Sequence, residues 1–238
     1  MKNIPSWQYD ESNHPGEDFD FEAEVYDEKW RKLRDVQKEN EELLSLLNLQ
    51  PDQTMLEIGA GTGEFAVAAA EHCSKVLAVD LSQGMLNLAE KKAKSKGLKN
   101  IEYIHGGFLT YEHRGEPVDI VVSQLALHYL PDFWKQIALF QLSKMLKPRG
   151  KLLLYDSVYS FELADYEDFF NKGIAQLACI VGEDTFSTMV AHIKSEYSTI
   201  DWIMEGLIKR AGYRIERADY QKGVYATYLC TKISQLTR

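Results

Sequence analysis

A short apolar run followed at once by closely spaced glycines is the feature that most constrains this chain. The apolar run at 54–58 predicts a buried strand, residues 59–63 read Gly-Ala-Gly-Thr-Gly, and an Ala-rich helix is predicted from Glu64. Glycine allows positive φ and close backbone approach, so amides at the start of such a helix can face a bound polar group. The order strand, glycine loop, helix therefore predicts a nucleotide-binding turn.

The glycine spacing and the neighbouring acidic residues limit which kind of nucleotide-like ligand the loop can bind. A dinucleotide-binding loop has its third glycine three residues after the second, whereas every second residue is glycine across 59–63. Glu57 and Glu64 would be badly placed beside a pyrophosphate, so the pattern favours a nucleoside with a cationic part. Asp80 ends the next apolar run, about 20 residues after the first glycine, where a carboxylate can accept hydrogen bonds from a ribose.

Length, net charge and cysteine spacing limit the number of domains and the class of protein. The 238 residues fit one large domain, or a domain with a substantial insertion. With 27 basic and 36 acidic residues the net charge is −9, which argues against a broad nucleic-acid or anionic-membrane surface. There is no apolar run of about 18 residues and the N-terminus is acidic, so we expect a cytoplasmic protein. Cys73, Cys179 and Cys230 are widely spaced, which is typical of reduced thiols in a core.

The predicted elements alternate between strands and helices through the centre of the chain. Strands are predicted at 54–58, 75–80, 101–105, 118–123 and 151–156, and helices at 64–72, 84–96 and 132–146. This alternation predicts an α/β fold with a parallel sheet covered by helices on both faces.

The elements predicted on either side of this core do not continue the alternation of strands and helices. They are an amphipathic helix at 23–47, an aromatic-rich helical stretch at 157–197, a helix at 199–211 opened by a capping box at 198–201, and an antiparallel pair at 213–219 and 224–231.

The motif Glu57-Ile58-Gly59-Ala60-Gly61-Thr62-Gly63, with Asp80 after it, resembles the first two motifs of the class I S-adenosylmethionine-dependent methyltransferases. The resemblance covers roughly residues 50–231. It implies a three-layer Rossmann-like sandwich with a seven-stranded, mostly parallel sheet, an antiparallel last strand and a helical cap inserted after strand 5. The implied organisation is an N-terminal flap and amphipathic helix at 1–49, a cofactor-binding core at 50–156, a helical substrate cap at 157–205 and the end of the core at 206–238.

The family's cofactor is S-adenosyl-L-methionine and its product is S-adenosyl-L-homocysteine. The resemblance implies that the glycines pass under the methionine and ribose, that Glu57 helps to hold the amino end, and that Asp80 binds the ribose hydroxyls. Leu81 and Met85 would pack on adenine, and the backbone at 123–125 would face the amino acid end. The full implied set is Glu57, Gly59, Ala60, Gly61, Gly63, Asp80, Leu81, Met85, Gly107, Phe108, Ser123 and Leu125.

The third motif, at 104–108, departs from the family pattern. The family usually has Asp where this chain has Gly107, and uses that carboxylate on the adenine amino group. The Phe108 amide can still meet the adenine edge. The contact to the amino group must then come from elsewhere in the chain or from water.

The fourth motif, at 118–130, excludes several chemistries. It lacks the Pro-Pro-aromatic sequence of enzymes that methylate base amino groups, and it contains no cysteine nucleophile. Asp156 has no neighbouring carboxylates and no His/Cys pair has zinc-ligand spacing, so no metal site is predicted. His128 follows the fourth strand and is the candidate general base. The alternative is a histidine that is hydrogen-bonded at a helix start.

The chemistry implied is methyl transfer by in-line displacement, and the acceptor is the open question. Aromatic residues in the predicted cap and the negative net charge favour a small, partly apolar acceptor over nucleic acid. A tRNA or protein methyltransferase is the first alternative, and a cofactor-binding protein without catalysis is the second. A nicotinamide dehydrogenase is disfavoured by the glycine spacing and by Glu64.

Overall fold

The computed structural model describes residues 5–12, 19–31, 34–180 and 183–233. The helices are α1 (Phe19–Arg31), α2 (Val36–Leu47), α3 (Glu64–Ala69), α4 (Gln83–Ser95), α5 (Asp132–Met145), α6 (Tyr166–Ile180), α7 (Glu183–Ser195) and α8 (Asp201–Arg210). The strands are β1 (Thr54–Ile58), β2 (Lys75–Asp80), β3 (Ile101–His105), β4 (Val118–Gln124), β5 (Leu146–Tyr159), β6 (Thr199–Ile200), β7 (Tyr213–Gln221) and β8 (Tyr225–Lys232). Two short 3-10 helices lie at Leu127–Tyr129 and Leu163–Asp165.

Seven strands form one continuous sheet in the order β3-β2-β1-β4-β5-β8-β7. Strands β1 to β5 pair in parallel, and β8 is antiparallel to both β5 and β7. The predicted fold class is therefore confirmed, with one addition, because the two-residue β6 pairs with the end of β5 as an eighth strand. The strand order reverses between β1 and β4, and ligands of open α/β sheets bind at such a point, beyond the carboxyl ends of the strands.

Both faces of the sheet are buried, which makes the fold a three-layer sandwich. Along β1, Leu56 and Ile58 pack in one core cluster with α5 and α8, whereas Met55 packs in the other with α2 and α3. Side chains of a strand point alternately to its two faces, so this division follows from the sequence period of two. Cys73 and Cys230 are buried free thiols, as predicted, and the side chain of Cys179 lies outside the described residues.

The prediction of one helix over 23–47 is wrong, because the structure has two helices in this region. The Asp35 side chain accepts a hydrogen bond from the Lys38 N–H and so caps the start of α2. A short acidic side chain competes well for free amides at a helix start, and this local bond defines a new helix beginning. Leu33, one of the apolar residues on which the prediction of a single helix depended, lies outside the described residues.

The predicted capping box at 198–201 is not formed. Thr199 and Ile200 pair with the end of β5, and α8 begins at Asp201 without a side-chain cap. The Ser198 hydroxyl instead donates to the Ser157 hydroxyl at 2.8 Å. β5 is also longer than the predicted 151–156, since the ladder to β4 already includes Leu146.

The helices α6 and α7 follow β5, where the helical insertion is predicted. In the described part of the chain, no helix is both long and apolar enough to cross a membrane.

Candidate active site

The glycine loop turns sharply from β1 into α3. Gly59, Gly61 and Gly63 have φ values of 75°, 52° and 75°, in the left-handed region that glycine adopts at little cost. The amides of Gly59 and Ala60 both donate to the Val79 carbonyl, at 2.9 and 3.1 Å, which fixes the loop against the end of β2. A Cβ on Gly59 would lie 2.4 Å from Cβ of Ala126, so only glycine allows the loops after β1 and β4 to meet this closely.

Asp80 connects the glycine loop to the start of α4. Its Oδ2 accepts the Gly61 N–H at 2.7 Å and its Oδ1 accepts the Ser82 N–H at 2.8 Å. Burial raises the pKa of Asp80, while these backbone donors act in the opposite direction. The carboxylate is therefore held rigidly at the edge of the sheet, with lone pairs left for a further donor.

A cleft with about 680 Å³ of empty space opens beyond the carboxyl ends of β1 to β4. Eight predicted cofactor-binding residues line it, namely Gly59, Gly61, Asp80, Leu81, Met85, Gly107, Phe108 and Leu125. In the described part of the chain, four others are not lining residues, namely Glu57, Ala60, Gly63 and Ser123.

Glu57 lies behind the cleft as a fully buried carboxyl group. Gln124, a lining residue, donates from Nε2 to Glu57 Oε1 at 3.3 Å. Burial raises the pKa of Glu57 to about 8, against the lowering effect of this hydrogen bond, and the charge of Asp80 adds to the rise. Among the described residues, Glu57 Oε2 and the Ser123 hydroxyl have no hydrogen-bond partner. Glu57 therefore places an incompletely paired acidic group directly behind the lining residue Gln124.

His128 lies in the 3-10 helix Leu127–Tyr129. It is next to the cleft but is not one of the described residues that line it. Its Nδ1 is 2.5 Å from Asp156 Oδ1 and its Nε2 is 3.3 Å from Glu196 Oε2. Burial lowers the pKa of His128, but the two carboxylates outweigh this and raise it to about 9. The ring is then an imidazolium near neutral pH, with both nitrogens donating. This geometry does not present a free nitrogen to a substrate, so the base role of His128 stays a prediction without support from the arrangement.

The His128 cluster connects the sheet to the helical insertion, since Asp156 is on β5 and Glu196 directly follows α7. Glu196 also contacts His192 of α7, with 3.1 Å between its Oε1 and Nδ1 of His192. The Tyr197 N–H donates to the His128 carbonyl at 3.0 Å. His128 therefore ties the end of the insertion to the core.

We expect His128→Asn to lower the free energy of unfolding by about 3–5 kcal/mol near pH 6.5, because Asp156 would be left buried without its cationic partner. The pKa of His128 is raised on folding, so its contribution is complete below about pH 6.5 and is lost as the pH rises towards about 9. Denaturant unfolding of both proteins at about pH 6.5 and pH 9.5 measures this difference. The exposed His72 supplies the control His72→Asn, which should show no such trend.

If the difference in the free energy of unfolding between His128→Asn and the wild type did not change with pH, the proposed ion pair between a protonated His128 and Asp156 would be contradicted. Turnover per folded molecule tests the base role separately, because a lost base lowers kcat even where the variant is fully folded.

Residues 5–12 and α1 together form one side of the cleft, and we call them the N-terminal wall. Glu11, Phe19 and Tyr26 of this wall line the cleft. Asp20 Oδ1 accepts the Ser82 hydroxyl at 2.6 Å and the Gly84 N–H at 2.8 Å, which attaches α1 to the start of α4.

Asp27 attaches the same wall to the glycine loop. Its two oxygens accept the Thr62 hydroxyl at 2.6 Å and Lys92 Nζ at 2.5 Å. The sequence predicted a flap in this region but did not assign Glu11, Phe19 or Tyr26 to the cleft, because no local motif connects residues 5–31 to loops so far along the chain. Tyr129, which also lines the cleft, was within the fourth motif but had no predicted role.

Comparison with known proteins agrees with this geometry. A family model described as a methyltransferase domain matches residues 55–150. An uncharacterized methyltransferase of Geobacillus kaustophilus is 27% identical over 197 residues, covering 83% of this chain and 84% of the relative. A demethylmenaquinone methyltransferase of Oceanobacillus iheyensis is 24% identical over 222 residues, covering 87% and 85%.

Among solved structures, an S-adenosylmethionine-dependent methyltransferase from Clostridium acetobutylicum superposes with a TM-score of 0.67 at 16% identity, covering 91% of this chain and 99% of that one. At this identity the superposition shows the shared fold. The methyltransferase domain matched over residues 55–150, the relatives and the shared fold agree with the resemblance seen in the glycine loop and Asp80, and together they support a class I S-adenosylmethionine-dependent methyltransferase.

Proposed function

We propose that the enzyme binds S-adenosyl-L-methionine in the cleft and transfers its methyl group to a small, partly apolar acceptor. The observation that carries the proposal is a fixed carboxylate that lines the cleft, Asp80, together with the buried carboxyl group of Glu57 behind the lining residue Gln124. A nucleoside needs an acceptor for its ribose hydroxyls, and a cationic amino acid tail needs acidic or polar groups nearby.

The residues present fit this cofactor. Asp80 would accept hydrogen bonds from the ribose, and Gly59 and Gly61 would allow the methionine part to lie close to the backbone. Leu81 and Met85 would pack against the adenine, with Gly107 and Phe108 at its edge. The ammonium group would lie towards Ser123–Leu125 and Gln124, where the charge of Glu57 favours it. Ala60 and Gly63 would act through the shape of the loop.

The bound cofactor would supply an activated methyl group on its sulfonium. The protein then has mainly to align donor and acceptor and to exclude water. Phe19 and Tyr26 of the N-terminal wall and Tyr129 bring aromatic surface to the cleft, which suits both tasks. A general base is optional in such a reaction when the acceptor atom is already nucleophilic.

A small acceptor is supported by three independent features. Aromatic rings face the cleft, the net charge is −9, and several relatives carry the name demethylmenaquinone methyltransferase, which specifies a small-molecule substrate for those proteins. In this proposal, the segment at 157–205 covers the acceptor as a cap, with α6 and α7 as its helices.

A labelled-methyl transfer screen tests this proposal. The purified enzyme and labelled S-adenosylmethionine are incubated with a cell extract separated into small molecules, RNA and protein. We expect label in the small-molecule fraction, extractable into organic solvent, and no label with Asp80→Asn. Label confined to RNA or protein would contradict the proposed acceptor class, and steep salt dependence would accompany an RNA acceptor.

The raised pKa of Glu57 predicts how cofactor affinity depends on pH. Below about pH 8 the carboxyl group is protonated, and a bound ammonium group would favour its ionised form, so binding releases a proton. The affinity for S-adenosylhomocysteine should rise by up to about tenfold per pH unit from about pH 6 and level off above about pH 8. Calorimetry of the wild type and Glu57→Gln measures this, and an identical slope in both would contradict the assignment to Glu57.

A further inference from the structure

Glu11 is a buried carboxylate on a stretch of the chain whose other described residues, at 5–12, are exposed or half-buried. It is 4% exposed, whereas its neighbours Asp10 and Ser12 are exposed. The Leu109 N–H lies 3.0 Å from both of its carboxylate oxygens, and the Thr110 hydroxyl donates to Oε1 at 2.7 Å. Burial raises the pKa of Glu11, and these donors lower it. Burying a carboxylate is costly unless it is hydrogen-bonded, and these donors from the loop after β3 offset that cost.

The carboxylate occupies the space that a side chain at position 107 would need. A Cβ on Gly107 would lie 2.6 Å from the carboxyl carbon of Glu11 and 2.7 Å from each oxygen. Both Glu11 and Gly107 line the cleft. The N-terminal wall thus places an acceptor group at a point where β3 itself provides none.

The position of this acceptor relative to Asp80 identifies what it can contact. Asp80 is paired with His105 across β2 and β3, and the Gly106 N–H donates to the Asp80 carbonyl at 2.9 Å. Leu81, Met85, the loop 106–108 and Glu11 all line the same cleft as Asp80. A nucleoside whose ribose is bound at Asp80 would therefore have its base among these residues, with Glu11 within reach of its edge.

We propose that Glu11 recognises the amino group of the adenine, so that base selectivity is supplied by the N-terminal wall. This inference rests on the proposed function. A carboxylate has about four lone-pair positions. Besides the shared Leu109 N–H and the Thr110 hydroxyl on Oε1, the amides of Phe108 and Thr110 also lower the pKa of Glu11, and Oε2, which among the described residues has only the shared Leu109 N–H at hydrogen-bond distance, is the oxygen that can accept a further donor. The 6-amino group of adenine is a donor, whereas a 6-oxo purine presents an acceptor that the carboxylate repels.

Calorimetry with two ligands tests this, using S-adenosylhomocysteine and S-inosylhomocysteine, which has oxygen in place of the amino group. We expect the wild type to prefer the adenosyl ligand by about tenfold or more. Glu11→Gln should lose most of that preference, because the amide has one oxygen, which Leu109 N–H engages, and its NH₂ group faces the purine edge.

Asp27→Asn is the matched control. Asp27 attaches the same N-terminal wall to the glycine loop, but it is not one of the described residues that line the cleft. This substitution should weaken the binding of both ligands by the same factor and leave the ratio of their affinities unchanged. If Glu11→Gln also weakened the binding of both ligands equally, Glu11 would only hold the N-terminal wall in place and the proposal would fail. If the wild type bound neither ligand, the proposed function would fail and this inference with it.

A paired substitution gives an independent check. The Gly107→Asp variant alone should have a lower free energy of unfolding, because its Cβ would displace the Glu11 carboxylate from its hydrogen bonds with Leu109 and Thr110. Combining Gly107→Asp with Glu11→Ala removes that conflict and returns a carboxylate to the same edge. Recovery of the adenosyl preference in the double variant, relative to Glu11→Ala, is expected. A ratio that stays at the Glu11→Ala level would contradict a role for a carboxylate at this position.

Discussion

Asp80→Asn is expected to lower the affinity for S-adenosylhomocysteine by about 100-fold or more. The carboxylate accepts two backbone N–H groups in the protein and, in the proposed complex, the ribose hydroxyls as well. An amide has only one acceptor oxygen and turns an NH₂ group towards one of these donors. Hydrogen bonds to charged groups contribute about 1.5–3 kcal/mol each, and about 2.7 kcal/mol corresponds to 100-fold. Titration calorimetry measures the change.

Asp119→Asn is the matched control for this prediction. Asp119 also accepts a backbone amide, from Thr54 at 2.9 Å, but it lies in β4 where β1 begins, at the opposite end of the sheet from the cleft. Its replacement should leave the affinity within about twofold of the wild type. Equal losses in the two variants would show that the Asp80 effect is a general loss of stability and not a loss of ligand contact.

Gly63→Ala is expected to lower the free energy of unfolding by about 2–5 kcal/mol. Gly63 has a φ of 75°, and a Cβ there would lie 2.5 Å from Cβ and 3.0 Å from Cα of Ala89 in α4. The left-handed conformation costs a non-glycine residue about 1–2 kcal/mol, and overpacking against a backbone atom adds about 1–3 kcal/mol. Denaturant unfolding measures the loss.

Gly97→Ala separates the two costs. Gly97 has a φ of 72°, but no described atom lies within 4 Å of the position of its Cβ. The conformational cost should then appear alone, about 1–2 kcal/mol. If Gly63→Ala were no more destabilising than Gly97→Ala, the close packing of the glycine loop on α4 would not matter to the fold.

The parts of the site that follow each other closely in sequence could be predicted. The loop 59–63 and Asp80 are each next to a strand of the parallel sheet, and parallel strands bring their carboxyl ends to one edge. Strand and helix periods identify such elements, so the central sheet and eight cleft-lining residues could be read from local patterns. Element ends were less predictable, because β5 and α8 are limited by pairing with distant strands.

The parts of the site built from distant residues could not be predicted. Glu11 reaches a partner 98 positions later in the chain, and no local pattern marks an acidic residue in a loop-like segment for burial. The two nitrogens of His128 are engaged from β5 and from the end of α7, and such pairing depends on tertiary structure alone. The break between α1 and α2 depends on one competing cap, Asp35, within an otherwise continuous helical pattern.

Titration of the wild-type protein with S-adenosylhomocysteine and with NAD⁺, followed by thermal unfolding at the same ligand concentrations, tests the central claim most directly. We expect S-adenosylhomocysteine to bind with one molecule per chain, and to stabilise the fold by about 2.7 kcal/mol at about 100 times its Kd. NAD⁺ should produce neither heat nor stabilisation, because the glycine loop with Glu57 and Glu64 disfavours a pyrophosphate. Stabilisation by NAD⁺ and none by S-adenosylhomocysteine would contradict the account.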